Sequence, residues 1–151
     1  MAYNSTDFNF SYSLNEDLEF NFDIENLFDT SFGTVLDDDG ALNGKTNPMT
    51  SKHNISASII YSISDKAKMT LTQKFRSNAF AEEDYTNTAT QKQKAYNSTD
   101  FNFSYSPNEE LEFNFDVENL FENSYGTLLK ADVIYPGNFT RNIKASLSYK
   151  F

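Results

Sequence analysis

The sequence contains no cysteine and no tryptophan, and it has only five glycines and three prolines in 151 residues. Without cysteine, the chain can form neither disulfide bonds nor thiolate metal sites. No apolar run approaches the roughly 18 residues that a transmembrane helix requires. The first residues, MAYNSTDFNF, contain neither a basic segment nor an apolar stretch. The sequence therefore predicts no transmembrane helix and no signal peptide.

Positive charge is also scarce. The chain has 12 Lys and Arg residues against 22 Asp and Glu residues, which gives a net charge of −10. A protein that binds nucleic acid needs Lys and Arg to replace the counterions of the phosphates. Because the few basic residues here are scattered along an acidic chain, the sequence predicts no nucleic-acid partner.

Aromatic residues are abundant, with 15 Phe and 9 Tyr, whereas disordered chains are poor in them. In seven segments an apolar residue recurs at every second position, with Gln73 as the one exception, which is the pattern of a strand with one apolar and one polar face. These segments are 8–14, 18–24, 55–63, 67–75, 101–105, 111–117 and 143–151. No window has the periodicity of an amphipathic helix, so the sequence predicts an all-β protein.

Short and long connections alternate between these segments. The short ones, 15–17, 64–66 and 108–110, contain Asn or Asp, which tolerate the left-handed φ expected in three-residue hairpins. The long ones, 31–51, 82–95 and 125–138, are mostly polar. This pattern indicates an antiparallel up-and-down transmembrane β-barrel, partial or small, with seven strands in a single domain over 1–151. A soluble sheet or sandwich whose aromatic face is its core is the alternative.

The chain carries an internal repeat, because residues 2–34 and 95–127 are nearly the same. Beyond the repeat, 54–61 aligns only loosely with 142–149. Each copy reads as one hairpin, so the repeat indicates a copied piece of barrel wall rather than a second active site. Six of the 33 aligned positions differ: Leu14/Pro107, Asp17/Glu110, Ile24/Val117, Asp29/Glu122, Thr30/Asn123 and Phe32/Tyr125.

The residues that could carry chemistry have simpler explanations. His53 is the only histidine, which excludes a multi-histidine metal site. Glu19, Asp23 and Glu25 lie on the polar face of one predicted strand, where a polar lumen wall explains them with fewer assumptions than a pair of glycosidase carboxylates. The acidic run 37–39 lacks the ligand spacing of an EF-hand loop and reads as solvated. The sequence predicts no catalytic residue, metal ligand or cofactor site, and hence no enzyme.

The C-terminal third contains the phrase Asn119-Leu120-Phe121, then a loop with Pro136-Gly137 and a last strand that ends in Phe151. In this order, these features resemble the end of TonB-dependent outer-membrane receptors. In that family the penultimate strand ends in a V-x-N-L-F-D-x-x-Y phrase, and a loop that often holds Pro-Gly leads to a last strand with an aromatic end. The first copy repeats the phrase as Asn26, Leu27 and Phe28. The resemblance is close over 95–151 and looser over 52–94.

This resemblance implies a location in the bacterial outer membrane and a portion of a roughly 22-stranded barrel. The family imports ferric siderophores or similar large nutrients with energy from TonB. The resemblance thus implies four partners: outer-membrane lipid, the barrel assembly machinery, TonB and a metal chelate. It also implies that the assembly machinery reads Leu147, Tyr149 and Phe151 as a C-terminal signal.

The chain also departs from this family. The sequence predicts no plug domain, and the seven predicted strands are an odd number, whereas bacterial single-chain barrels have even numbers. The sequence therefore favours a C-terminal receptor fragment. A self-contained small barrel with a structural or adhesion role and a soluble β-sheet binding module remain as alternatives.

Overall fold

The structure, a computed structural model, describes residues 6–27, 45–46, 48–88, 92–130, 133–136 and 141–150. The described residues form eleven β-strands, and among them there is no helix that could cross a membrane. The strands are β1 (Phe8–Ser13), β2 (Leu18–Glu25), β3 (Asn54–Ser64), β4 (Ala67–Arg76), β5 (Ala79–Phe80), β6 (Lys92–Gln93), β7 (Tyr96–Tyr105), β8 (Leu111–Glu118), β9 (Gly126–Lys130), β10 (Val133–Pro136) and β11 (Asn142–Tyr149).

Seven of these strands make one antiparallel sheet in the order β1-β2-β3-β4-β7-β8-β11. They are the seven strands that the alternating pattern predicts, so the prediction of an all-β antiparallel meander is confirmed. The remaining strands form two small pairs, β5 with β6 and β9 with β10. The second pair lies within 125–138, where the sequence analysis expected only a polar connection.

The register of the sheet separates its two faces, because residues paired across neighbouring strands point to the same side. Phe22 pairs with Phe10 on one side and with Ala57 on the other. The next residue, Asp23, pairs with Asn9 and Ser56. One face of the sheet is therefore apolar and the other polar, as the alternation predicts.

Little of the apolar face is covered by protein. Among the described residues, only Ala79, Ala81 and Val117 are buried hydrophobic residues. No second layer of described residues packs on the apolar face, which argues against a sandwich whose aromatic face is its core. The large apolar side chains of the seven-stranded sheet that stay exposed are Phe8, Phe10, Tyr12, Phe20, Ile59, Tyr61, Ile63, Leu71, Phe75, Tyr105, Ile143, Leu147 and Tyr149.

The sheet is open: β1 and β11 are its two edges, and the described residues do not close it into a barrel. The prediction of seven antiparallel strands is thus confirmed, but these strands do not form a small closed barrel. Strand parity gives the physical reason. Each strand runs opposite to its neighbour, so the first and seventh strands run in the same direction and cannot pair antiparallel with each other.

The short turns use a different device from the one expected. In the described residues, the left-handed φ values of non-glycine residues occur at other positions and not in 15–17, 64–66 or 108–110. Instead, the side-chain oxygen Oδ1 of Asn15 accepts the backbone N–H groups of Asp17 and Leu18 at 2.9 and 2.8 Å. Asn108 does the same for Glu110 and Leu111. The asparagine side chain replaces a backbone acceptor in the turn, so no left-handed residue is needed.

The segments 54–61 and 142–149, which align only loosely in sequence, pair with their preceding hairpins in the same way. Strand β2 pairs with β3 from Leu18↔Tyr61 to Glu25↔Asn54. Strand β8 pairs with β11 from Leu111↔Tyr149 to Glu118↔Asn142, which is the same register. The sheet therefore contains a four-stranded unit, β1-β2-β3-β4, followed by the counterparts of its first three strands, β7-β8-β11.

Candidate functional site

The Asn-Leu-Phe phrase ends the second strand of each hairpin copy. Asn26 follows β2 and Asn119 follows β8, with φ values of 58° and 53°. Asparagine is one of the few residues that adopt this left-handed conformation at low cost. Asn119 is 1% exposed and Asn26 is 9% exposed. The asparagine of each phrase is therefore buried at a strand end.

The two strand ends are held by the same contacts. The backbone N–H of Asn26 donates to Oδ1 of Asp7 at 2.9 Å, and that of Asn119 donates to Oδ1 of Asp100 at 2.9 Å. The next residues, Leu27 and Leu120, each donate a backbone N–H to the carbonyl of Thr6 or Thr99 at 2.7 Å. The alternating pattern does not mark out the two aspartates, although each directly precedes the first phenylalanine of its copy.

The phrase residues differ in exposure. Leu27 is exposed and Leu120 is half-buried, while Phe121 is 66% exposed. Phe28 lies outside the described residues. The structure thus gives the asparagines a structural role at the strand ends and leaves Leu27 and Phe121 available to the surroundings. Their functional assignment stays a prediction.

The side chains of the two asparagines have different partners. Nδ2 of Asn26 donates to the carbonyl of Lys52 at 2.9 Å, which ties the first hairpin to the start of β3. Asn119 instead exchanges hydrogen bonds with the backbone of Asn123, both at 3.0 Å. Among the contacts of the described residues, the second strand end is therefore bonded to its own loop and the first one to the start of β3.

Two stacked tyrosines lie beside the second strand end. The rings of Tyr96 and Tyr125 are 4.3 Å apart and nearly parallel, with 5° between their planes. Partial burial, together with the neighbouring Tyr96 and Asp100, raises the pKa of Tyr125 above the ordinary tyrosine value. The loop after β8 is thereby packed against the start of β7.

The polar face carries the ion pairs of the sheet. Nζ of Lys74 lies 2.7 Å from Oδ2 of Asp100, and Nζ of Lys144 lies 3.1 Å from Oε1 of Glu118. Asn102 donates to Asp116 at 2.6 Å on the same face. Apart from Lys74, these groups line an open groove of about 360 Å³. The carboxylates are paired with lysines and amides along a wall, an arrangement that fits a hydrated surface.

A second pocket lies at the end of the sheet where the long connections meet. It has a volume of about 440 Å³ and is lined by three lysines, Lys45, Lys52 and Lys92. The ammonium of Lys92 lies 4.2 Å from the centre of the Phe80 ring, a cation–π contact. In a chain of net charge −10, three lysines around one pocket make a local positive region.

The predicted C-terminal signal lies at the opposite end of the sheet. Leu147 and Tyr149 are on the apolar face of the edge strand β11, and Leu147 is 69% exposed. The hydroxyl of Tyr149 donates to Oε2 of Glu110, in the short turn before β8, at 3.2 Å. Phe151 lies outside the described residues. The assignment of these residues as an assembly signal stays a prediction.

The potential metal ligands among the described residues do not form a cluster. The Nδ1–H of His53 donates to the carbonyl oxygen of Asn26 at 3.1 Å and caps the first strand end. No group of three or more potential metal ligands occurs in the part of the chain that the structure describes. The acidic run 37–39 lies outside that part.

Solved structures of siderophore receptors and of a copper transporter have the same fold over nearly the whole chain. The siderophore receptor PiuA from Acinetobacter baumannii matches 97% of this chain with a TM-score of 0.69 and 13% identity, over 21% of its own length. A mutant of the ferric enterobactin receptor PfeA from Pseudomonas aeruginosa matches 96% of this chain at 0.71 and 14%, over 22% of its length. The copper transporter OprC matches 96% at 0.71 and 13%, over 23% of its length.

These likenesses confirm the resemblance at the level of the fold. The chain spans about a fifth of the length of these proteins, and its sheet corresponds to a section of their structure. No protein-family model matches the sequence, and no curated protein sequence matches it significantly.

Proposed function

We propose that this chain forms part of the barrel wall of a bacterial outer-membrane receptor that imports a metal chelate or a similar large nutrient. The observation that carries the proposal is the uncovered apolar face of a continuous seven-stranded sheet, on which Phe10 is 49% and Leu147 is 69% exposed. Such a face needs an apolar environment, and lipid supplies one. The fold likeness to siderophore receptors and a copper transporter supports the choice of family.

The polar face fits the inner side of such a wall. Its side chains are short amides and hydroxyls with paired charges, which suit a water-filled or plugged lumen. The three short turns lie at one end of the sheet and would face the periplasm. The lysine pocket and the two Asn-Leu strand ends lie at the other end and would face outwards.

The partners follow from this orientation. Leu147, Tyr149 and Phe151 would be at the periplasmic end, where the barrel assembly machinery binds its substrates. A metal chelate that carries acidic groups would meet the positive charge of Lys45, Lys52 and Lys92 at the outer end. The whole receptor would draw its energy from TonB. Since the matched proteins include receptors for iron chelates and a copper transporter, the shared fold does not select the cargo.

The test uses the absence of cysteine, because each introduced cysteine is then unique. Single cysteines at 143–148 are labelled with a nitroxide, and the refolded protein is placed in liposomes. We expect labels at odd positions to collide with oxygen in the lipid and labels at even positions to collide with a water-soluble quencher. Leu147→Cys and Ser148→Cys are a matched pair of adjacent, exposed positions on the same strand.

Two results would contradict the proposal. One is equal access of the water-soluble quencher to both members of the pair in liposomes. The other is a chain that stays folded and monomeric in buffer without detergent, because seven uncovered apolar stripes should aggregate in water.

A further inference from the structure

The outer edge of β1 is the clearest unexplained surface of the molecule. Among the described residues, β1 pairs with β2 alone. Yet residues 2–12 are identical to residues 95–105, which include β7. Strand β7 lies inside the sheet, between β8 and β4. The same strand edge thus occurs twice, in β1 and in β7, and for β7 the strand that pairs with this edge is β4.

Strand β4 is held against β7 by contacts on both faces. The pairing is antiparallel over ten residue pairs, from Ala67↔Tyr105 to Arg76↔Tyr96. On the apolar face, Leu71 pairs with Phe101, and Oγ1 of Thr99 donates to Oε1 of Gln73 at 2.6 Å. On the polar face, the 2.7 Å ion pair joins Lys74 to Asp100.

The first hairpin sets its edge in the same geometry. Phe8 pairs with Ile24 as Phe101 pairs with Val117, so the two hairpins have equal registers. Asp7 accepts the backbone N–H of Asn26 in the same way as Asp100 accepts that of Asn119. The edge of β1 therefore presents the side chains that β7 presents to β4, in the same order and on the same faces.

The other edge of the sheet differs at one decisive position. Strand β11 is the counterpart of β3, which also pairs with β4, and Ser56 of β3 pairs with Lys74. The counterpart of Ser56 in the shared register is Lys144. If a strand like β4 paired with β11, the lysine at the position of Lys74 would face Lys144. Like charges directly opposite each other are destabilising.

We propose that the outer edge of β1 binds an antiparallel strand with the residue pattern of β4: apolar residues at alternate positions and a lysine that reaches Asp7. The partner is a neighbouring strand of the same barrel wall, so the inference rests on the proposed function. Since β4 of this chain is paired on both sides, the partner strand is a different segment.

The probe is a synthetic peptide with the sequence of residues 65–78, added to the refolded protein in detergent micelles. Protein with Phe8→Cys is mixed with peptides that carry a single cysteine in place of Met69, Leu71 or Gln73. We expect the Leu71→Cys peptide to form the disulfide at least fivefold faster than the other two, because Leu71 pairs with Phe101, the counterpart of Phe8. A peptide of residues 53–65, from β3, is the control for general strand binding.

The ion pair is tested separately. Asp7→Asn keeps the side-chain oxygen that accepts the Asn26 N–H and removes the charge. We expect it to weaken binding of the native peptide about two- to fivefold, as exposed ion pairs do, and to leave binding of a Lys74→Met peptide unchanged. Glu16→Gln, in the turn of the same hairpin, is the matched control and should change neither affinity.

Three outcomes would overturn the inference. They are equal disulfide rates for the three peptide positions, equal affinity for the β3 peptide, or a Phe8→Cys dimer that excludes the peptide and so identifies a second copy as the occupant. Failure here leaves the alternating quenching at 143–148 intact. If the chain did not form part of a barrel wall, that alternation would be absent instead.

Discussion

The two hairpin copies, β1–β2 and β7–β8, differ at only six of 33 aligned positions but lie in different surroundings. Their registers and strand ends are the same. Every residue of β1 is exposed, whereas most of β7 is half-buried or buried. The local sequence therefore determines the conformation of each hairpin, and the neighbouring strand determines how much of it is covered.

The strand ends are the first place to test this comparison. We expect Asn119→Ala to lower the free energy of unfolding by about 2 kcal/mol, because a left-handed alanine is costly and two buried hydrogen bonds are lost. Urea unfolding in detergent measures this change. Asn26→Ala should cost less, since Asn26 is the more exposed of the two. Asn119→Gly restores the φ freedom alone and separates the backbone cost from the hydrogen bonds.

An equal or larger loss for Asn26→Ala would contradict this ranking. It would mean that the bond from Asn26 to the start of β3 stabilises the sheet more than the local closure around Asn123 does.

The cross-strand aromatic pairs offer a second test of this comparison. Phe103 lies between Met69 and Phe115, whereas its counterpart Phe10 has Phe22 as its one strand-pairing partner among the described residues. Each cross-strand pair contributes roughly 0.2–1 kcal/mol. We expect Phe103→Ala to destabilise the protein by about 1 kcal/mol more than Phe10→Ala in the same detergent. Equal losses would mean that contact with detergent or lipid, rather than with the neighbouring strand, stabilises both rings.

The smallest expected effect concerns Tyr125, whose counterpart in the first copy is Phe32. The pKa of Tyr125 is raised in the folded protein, so the unfolded chain loses this proton first. The resulting stability is complete below about pH 10 and is lost as the pH rises through the folded-state pKa. We expect Tyr125→Phe to make the fall in unfolding free energy between about pH 9 and 11 shallower.

Tyr85→Phe, at an exposed tyrosine of another loop, is the matched control. If both substitutions change the alkaline slope equally, the packing of Tyr125 against Tyr96 has no influence on stability in this range.

The sequence predicts the seven strands because a period of two is a local property that each strand carries by itself. The aspartates that hold the strand ends were missed, since Asp100 and Asn119 are 19 residues apart and meet only once the register is known. The turns were misjudged for a different reason. An Asn-rich turn can form with an asparagine in the left-handed conformation or with its side-chain oxygen as a hydrogen-bond acceptor. Composition does not distinguish the two.

The pair β9–β10 was also missed, because strands of five and four residues are too short for an alternating pattern to emerge from a mixed connection. The openness of the sheet could be anticipated only in part. The odd strand count argues against closure, but which strands form the edges follows from the observed order.

The equal registers of β2–β3 and β8–β11 mean that the sheet has a translational period of four strands. Because four is even, each strand of the second unit runs in the same direction as its counterpart and places its apolar residues on the same face of the sheet. A period of three or five would have reversed the strands of every second unit. A sheet of this kind can be widened by whole units without any change in which residues lie on the apolar face and which lie on the polar face.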